Sequence, residues 1–184
     1  MKRLILAFIL PVLLSCSNEN TTSSTIEKTS TWNAEKKLEE LGITLPEASS
    51  PVANYVNAVR VGNLLFLSGK GPGLPDGSYI TGKVGEDLSI EEGREAAKLV
   101  GIAQLAVLKS ELGDLNKVKR IVKVLGMVNC SPEFTQQPQV INGFSDLMVE
   151  VFGEKGKHAR SAVGMNALPM NIAVEIEVIV EVED

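Results

Sequence analysis

The C-terminal segment 172–182 constrains the fold more than any other part of the chain, because its residues alternate in character. Every second residue is apolar, and Glu175, Glu177 and Glu181 fall between the apolar positions. Side chains of a β-strand point alternately to the two faces of a sheet. The pattern therefore predicts a strand with one packed face and one face that is either polar or lines a cavity or interface.

The rest of the chain predicts four more strands and two long helices. A capping box of Ser89 and Glu92 begins the first long helix, and Gly113 and Gly153 follow the two helices as expected for left-handed helix ends. The predicted strands span 58–60, 64–68, 118–128, 161–163 and 172–182, the long helices end at Leu112 and Phe152 with the second spanning 140–152, and a short helix spans 33–41. The order β-β-α-β-α-β-β predicts an α+β fold, a mixed sheet with two helices on one face.

The other face of this sheet has no predicted cover. The strands at 118–128 and 172–182 are strongly apolar, and Ile179 lies among the outward residues of the last strand. An apolar sheet face in a soluble domain tends to pack against another subunit. We therefore expect a closed homo-oligomer.

The N-terminus is predicted to be a secretion signal followed by a tether. Lys2 and Arg3 precede an apolar run at 4–14, which is shorter than the ~20 residues of a membrane-spanning helix. The Cys16 that follows Ser15 resembles the cysteine of a bacterial lipobox; an ordinary signal or a buried cysteine is the alternative. The predicted parts are a signal peptide at 1–15, a lipidated Cys16 with a flexible tether at 16–32, and a folded domain at 33–184. The protein would then be exported across the inner membrane and held by its lipid anchor on the periplasmic or outer-membrane face.

Composition excludes several classes of function. The 184 residues carry 18 Lys and Arg against 23 Asp and Glu, which argues against a nucleic-acid partner because phosphate binding needs clustered cations. One histidine and two cysteines exclude a multi-histidine metal site and a disulfide framework. The glycine-rich stretch 69–73 lacks the Ser or Thr and the helix start of a phosphate loop. Cys130 and His158 would form a thiol pair if the fold joins them, but a lone buried cysteine is commoner.

Arg160 is the most informative polar residue, because it opens an apolar strand within the stretch 158–164. A guanidinium there needs an anionic partner, which is either an acidic residue of the chain, solvent, or the carboxylate of a ligand held through two parallel hydrogen bonds. Glu175 lies fifteen residues further on, at a polar position of the last strand. It is either one of a solvated row with Glu177 and Glu181 or a residue with a special role.

Several stretches resemble the RidA (YjgF, reactive intermediate deaminase) family, from about Leu41 to the end of the chain. The similar stretches are 55–59, 62–69, 118–128, Ala159-Arg160-Ser161, Leu168-Pro169 and 174–177. The resemblance implies a chorismate-mutase-like α+β fold, a homotrimer, and clefts between subunits that bind small carboxylic acids.

The family's activity, carried over position by position, implies two catalytic residues. Arg160 matches the arginine that binds the substrate carboxylate, and Glu175 matches the glutamate that positions the attacking water. The implied substrate-binding residues are Tyr55, Ser68, Gly69, whose carbonyl holds substrate or water, and Asn142. Family members hydrolyse 2-imino or enamine carboxylic acids to 2-keto acids and ammonia, and they need neither a cofactor nor a metal.

Two departures from the family keep other functions open. The family's cysteine after the Arg-Ser pair is Ala162 here, and the stretch 134–143, which contains Gln136-Gln137-Pro138, is longer than in the deaminases. The chain therefore resembles a divergent branch. Its function is expected to be imine or enamine deamination, or non-catalytic carboxylate binding by the same trimer. Chorismate rearrangement and RNA cleavage are weaker alternatives. The first needs cations for two carboxylates and only Arg160 is clearly placed, and the second fits poorly with an acidic chain that has a single histidine.

Overall fold

Five strands form one mixed sheet in the computed structural model, which describes residues 32–51 and 53–184. The strands are β1 (Ala58–Val61), β2 (Leu64–Lys70), β3 (Val118–Asn129), β4 (Ala159–Met165) and β5 (Val174–Val182). The helices are α1 (Ala34–Glu40), α2 (Ile90–Leu112) and α3 (Gln137–Phe152). The predicted α+β fold and the order β-β-α-β-α-β-β are confirmed.

Strand β5 lies at the centre of the sheet, whose order is β1-β2-β5-β3-β4. Only β3 and β4 run parallel, because α3 connects them and returns the chain to the same end of the sheet. The other neighbouring strands are antiparallel. The pairing of β2 with β5 shifts between Leu67 and Lys70, where β2 forms a bulge.

Helices α2 and α3 cover one face of the sheet. A Cβ placed on Gly126 of β3 would lie 2.6 Å from Cδ1 of Ile141 in α3, so Gly126 faces that helix at close range. Its neighbours two positions away, Val124 and Val128, are fully buried on the same side. The even-numbered residues of β5 are buried there as well, and each such aliphatic side chain contributes about 1.5–3 kcal/mol of burial free energy.

The opposite face of the sheet is exposed in the single chain. Phe66 is 41 % exposed and Val163 is 38 % exposed. A shallow hollow of ≈ 290 Å³ lies on this face beside Phe66, with Lys123, Leu125, Glu177 and Ile179 among its lining residues. This is the uncovered face that the sequence predicts to pack against another subunit. We refer to it below as the open face.

The predicted capping box and helix ends are confirmed. The Ser89 hydroxyl accepts a hydrogen bond from the Glu92 amide, and the Glu92 carboxylate accepts one from the Ser89 amide. Gly113 ends α2 with φ 72°, in the left-handed region that glycine adopts without steric cost. α1 begins one residue after Asn33, whose side chain caps it.

Several predicted boundaries were wrong by one to three residues, and three of them have a clear physical reason. α3 begins at Gln137 rather than Val140, because Pro138 lies in the first turn, where a helix needs no amide hydrogen. β4 begins at Ala159 rather than Ser161, since its pairing with β3 starts there. β5 begins at Val174 rather than Ile172, because Met170 and Asn171, with φ 54° and 56°, turn the chain just before it.

The predicted signal peptide at 1–15 and the lipidated Cys16 lie outside the described residues. Trp32, at the end of the predicted tether, packs its ring against Gly153 and donates a hydrogen bond from Nε1 to the Val151 carbonyl at 2.8 Å. None of the helices within 32–51 and 53–184 is long and apolar enough to cross a membrane.

Candidate functional site

Arg160 is half-buried at the sheet edge, between β4 and the first turns of α3. Its register partner on β3 is Val124, which faces the helices, whereas the next residue, Ser161, accepts a hydrogen bond from Lys123 on the open face. The Arg160 side chain therefore emerges on the helix side of the sheet. There its Nη1 donates to Asn142 Oδ1 at 3.0 Å and to Ser145 Oγ at 2.9 Å.

The guanidinium of Arg160 has no acidic partner within the part of the chain that the structure describes. The two hydrogens of Nη1 are used by Asn142 and Ser145, and Nη2 makes one long bond, 3.4 Å, to the Pro138 carbonyl. One Nη2 hydrogen and the Nε hydrogen point from the same edge of the guanidinium, and Nε donates to no group among the described residues. Two parallel N–H groups of this kind match the two oxygens of a carboxylate.

The sequence-predicted alternative for Arg160, a pairing with an acid of the same chain, is therefore wrong for the described residues. Asn142 binds Arg160, so in this chain it orients the guanidinium from α3. The segment Gln136-Gln137-Pro138 also reaches this place, because Pro138 supplies the carbonyl beside Nη2. Gln137 donates to the Phe134 carbonyl at 2.6 Å and so holds the start of α3.

Glu175 lies on the open face, because its register partner on β3 is Met127, one position after the helix-facing Gly126. Burial raises the pKa of the Glu175 carboxyl above its ordinary value, and the negative charge of Glu177 raises it further. A carboxylate with a raised pKa accepts protons more readily at neutral pH than a solvated one. Glu175 is thus distinct from the solvated row with Glu177.

Gly69 lies directly against the Glu175 carboxyl group. A Cβ added to Gly69 would lie 2.9 Å from Glu175 Cδ and still closer to Oε1, well inside van der Waals contact. Only glycine leaves this space free. The bulge between Leu67 and Lys70 brings Gly69 to this point, because it shifts β2 relative to β5.

A residue that the sequence reasoning missed holds the bulge in place. Gln104 of α2 is 1 % exposed, and its Nε2 donates to the carbonyls of Ser68 at 3.0 Å and Ile176 at 2.8 Å. The two carbonyls belong to the residues that precede Gly69 and follow Glu175. The sequence signal that could have identified Gln104 is its position as a single amide on the otherwise apolar face of a predicted helix.

Ser68 and Tyr55 belong to the same part of the fold. The Ser68 hydroxyl donates to the Val56 carbonyl at 2.7 Å, which ties the segment before β1 to β2. Tyr55 on that segment is 47 % exposed. Lys70 donates from Nζ to Asn57 Oδ1 at 2.7 Å, so polar side chains hold this segment against the bulge.

One protomer does not bring the predicted catalytic residues together. Arg160 and Asn142 lie on the helix side at the β4 edge, whereas Glu175 and Gly69 lie on the open face. Strand β3 separates β4 from β5, and the register partners Val124 and Met127 place the two groups about 10 Å apart along the strands. The helix-side group and the open-face group are therefore separate, and we refer to them as candidate half-sites.

The thiol–imidazole pair considered from the sequence is not formed. His158 Nε2 lies 3.0 Å from Ser145 Oγ, while the buried Cys130 has Gln137 Nε2 at 3.6 Å. In residues 32–51 and 53–184 no three His, Cys, Asp or Glu side chains converge to hold a metal ion.

Comparison with known proteins places this arrangement in a family. The family model described as "YjgF/chorismate mutase-like, putative endoribonuclease" matches residues 35–182. The chain is 45 % identical over 148 residues to Protein TCP17 of Trypanosoma cruzi, which covers 80 % of this chain and 92 % of that protein. It is 32 % identical over 142 residues to the 2-iminobutanoate/2-iminopropanoate deaminase of Dermatophagoides farinae, covering 77 % and 95 %.

The fold agrees with a solved structure of similar sequence. The crystal structure of Atu1372 from Agrobacterium tumefaciens, a protein of unknown function, superposes with a TM-score of 0.76 at 46 % identity. The similarity covers 82 % of this chain and 94 % of Atu1372. The chain therefore belongs to the YjgF/RidA family of chorismate-mutase-like proteins.

Proposed function

We propose that the protein hydrolyses small 2-imino or enamine carboxylic acids to 2-keto acids and ammonia, at clefts shared by the subunits of a homotrimer. The observation that carries this proposal is the guanidinium of Arg160. It is held by the Asn142 and Ser145 side chains and by one long bond from Nη2 to a carbonyl, and it lacks an acidic partner among the described residues. Its Nε–H, on the edge shared with Nη2, has no acceptor there. A half-buried cation in that state suits an incoming carboxylate, to which each charge-assisted hydrogen bond contributes about 1.5–3 kcal/mol.

The reaction needs positioning of the substrate and proton transfers by one carboxyl group. Arg160 fixes the carboxylate, and Glu175 accepts a proton from water as the water oxygen bonds to the imine carbon. Glu175 then returns this proton to the nitrogen of the resulting amino alcohol. It takes up the hydroxyl proton as the carbon–nitrogen bond breaks, so that the keto carbonyl forms and ammonia leaves. The raised pKa of the Glu175 carboxyl suits these proton transfers. The chemistry uses no cofactor.

The positions of the two half-sites support a shared cleft. Because Arg160 and Glu175 emerge on opposite faces of one sheet, a site that contains both requires a second copy of the chain. The exposed apolar residues of the open face, such as Phe66 and Val163, are suited to packing against that copy. The expectation of three subunits comes from the resemblance to the family.

Measurement of keto-acid release from freshly generated 2-iminopropanoate tests the activity. We expect wild-type protein to accelerate release above buffer and Arg160→Ala to lose at least about tenfold in kcat/KM, as for loss of a charged hydrogen-bond partner. Arg120→Ala is the matched control, because Arg120 is an exposed arginine of β3. Equal rates for wild type and Arg160→Ala would contradict the proposal.

The second candidate is a trimer that binds small carboxylates without catalysis. It is favoured by Ala162, which follows the Arg160-Ser161 pair and carries no functional group where the family's cysteine stands. Carboxylate binding by calorimetry that is lost in Arg160→Ala, without any keto-acid release, would establish this function instead.

We also propose that the protein is an exported lipoprotein anchored through Cys16. The basic start, the short apolar run 4–14 and the position of Cys16 support this. Expression in a bacterium with labelled fatty acid should label the wild type and leave Cys16→Ala unlabelled and released from membranes. Label in both proteins would contradict the anchor.

A further inference from the structure

Beyond Asn142, a chain of three hydrogen bonds runs away from the guanidinium of Arg160. Arg160 Nη1 donates to Ser145 Oγ at 2.9 Å, Ser145 Oγ lies 3.0 Å from His158 Nε2, and His158 Nδ1 lies 2.6 Å from the Gly156 carbonyl oxygen. Neither Ser145 nor His158 has a role in the reaction described above. The last acceptor in this series of hydrogen bonds is a backbone carbonyl, so the position of His158 is fixed by the main chain.

The partners at both ends fix the direction of every bond. The Gly156 carbonyl only accepts, so the ring proton is on His158 Nδ1 and Nε2 carries a lone pair. The Ser145 hydroxyl must therefore donate to Nε2. Its oxygen lone pairs then face Arg160, whose guanidinium only donates. No other assignment satisfies all three bonds with a neutral imidazole.

The environment of His158 favours that neutral form. Burial of the ring lowers the pKa of His158, the bond to the Gly156 carbonyl opposes this, and the positive charge of Arg160 lowers the pKa again. The ring also packs edge-on against Phe144, with centroids 6.3 Å apart. The ring is thus held in place by Phe144 and the Gly156 carbonyl, and its neutral form is favoured.

This series of hydrogen bonds determines which edge of the Arg160 guanidinium is free. With Asn142 and Ser145 both accepting, Nη1 has no hydrogen left, and the plane of the guanidinium is fixed by two bonds from α3. Without the Ser145 acceptor, Nη1 keeps only Asn142 and Nη2 keeps only its long bond to the Pro138 carbonyl, so the guanidinium is held less firmly and rotates faster. The free Nε–Nη2 edge then no longer has a single direction.

We propose that Ser145 and His158 are positioning residues for the carboxylate site, which orient Arg160 through a hydrogen bond directed by the Gly156 carbonyl. The inference rests on the proposed role of Arg160 and extends it to a serine and a histidine that do not touch the substrate. It predicts that binding of a carboxylate depends on the hydroxyl of Ser145 and on the acceptor of His158.

The test compares Ser145→Ala, Ser145→Thr, which keeps a hydroxyl, and His158→Phe, which keeps the ring against Phe144. Ser110→Ala is the matched control, because Ser110 is an exposed serine of the other long helix. Calorimetry with 2-oxobutanoate measures binding, steady-state assays separate KM from kcat, and nuclear magnetic resonance of the Arg160 guanidinium measures its rotation.

We expect Ser145→Ala and His158→Phe to raise Kd and KM about tenfold with kcat within about twofold of wild type, since ground-state positioning acts on binding. Ser145→Thr should recover most of the affinity, and guanidinium rotation should become fast only in Ser145→Ala and His158→Phe. A general loss of stability would instead lower kcat or the fraction of folded protein.

An unchanged Kd in Ser145→Ala overturns the inference, whatever the resonance data show. If wild-type protein binds no carboxylate, the proposed function of Arg160 fails, and guanidinium rotation then decides on the positioning role alone. Restrained rotation in wild type that is lost in Ser145→Ala supports it, and equal rotation in both overturns it.

Discussion

Replacement of Gly69 by alanine tests the open-face half-site through one added methyl group. The new Cβ would lie 2.9 Å from Cδ and 3.0 Å from Cγ of Glu175, and closer still to Oε1. The φ angle of Gly69 is not in the left-handed region, so alanine itself fits the backbone. The carboxyl group of Glu175 must therefore move by roughly 1 Å to reach ordinary contact distance.

The expected cost is greater for catalysis than for stability. Displacement of a catalytic group by about 1 Å lowers kcat about 100-fold. Overpacking against the end of a half-exposed side chain costs about 1 kcal/mol, which for a domain of this size lowers Tm by about 3 °C. We measure keto-acid release from 2-iminopropanoate and thermal unfolding of the same samples.

Gly73→Ala is the matched control, because a Cβ there would meet nothing closer than 3.8 Å and its φ angle is also ordinary. The double variant Gly69→Ala with Glu175→Gln shows whether the methyl group acts through Glu175. If it does, the double variant is no slower than Glu175→Gln alone. A kcat for Gly69→Ala within twofold of wild type would refute the placement of Glu175 at the reacting water.

Three further predictions concern Gln104, the pH dependence of Glu175 and the charge of Glu175. Gln104→Leu removes the side-chain donor of the Ser68 and Ile176 carbonyls, at about 0.5–1.5 kcal/mol for each hydrogen bond, so unfolding by denaturant should show a loss of about 1–3 kcal/mol; an unchanged midpoint would contradict this. Because the pKa of Glu175 is raised, kcat/KM should fall with decreasing pH at a higher pH than for a solvated carboxylate, and Glu177→Gln should move this fall to lower pH. The raised pKa also means that the protonated form of Glu175 favours folding and that this contribution is lost as pH rises through that pKa. Glu175→Gln should thus raise Tm at neutral pH, because it removes a partly buried negative charge. A lowered Tm would show that the charge of Glu175 does not destabilise the fold.

The sequence was sufficient for the fold where local chemistry specifies structure. The alternation in 174–182, the capping box at Ser89 and the left-handed Gly113 each specify one element, and together they predict the order of strands and helices. The start of α3 was missed, because Pro138 looks like a helix breaker unless its place in the first turn is known. The length of β4 depends on pairing with β3, which no local pattern reveals.

The sequence proposes residues for the candidate site but does not give their geometry. Arg160 and Glu175 follow from an unusual cation and an alternating strand, together with the family resemblance. Their separation onto two faces depends on the registers Val124–Arg160 and Met127–Glu175, where a shift by one residue would exchange the faces. Gln104 and Ser145 act through contacts between elements distant in sequence, so their positions alone could not identify them.

Opposite faces for the two half-sites lead to a sharp prediction about mixed oligomers. Arg160→Ala and Glu175→Gln should each abolish most activity alone. If a cleft takes Arg160 from one subunit and Glu175 from the next, a cyclic trimer that contains both kinds of subunit has one cleft with both wild-type residues. Co-expression with two different tags and sequential purification would isolate such trimers, and we expect about one third of wild-type kcat per trimer.

A site built within one subunit would behave differently in the same experiment. Every subunit of a mixed trimer carries one substitution, so no site within a subunit would be intact and activity would stay at the level of the single variants. Mixed trimers of Arg160→Ala with wild type control for effects of the tags and should keep activity in proportion to the wild-type Arg160 they contain. Absence of recovery in doubly tagged trimers would therefore place the carboxylate-binding and water-binding groups in one subunit, and would contradict the shared cleft.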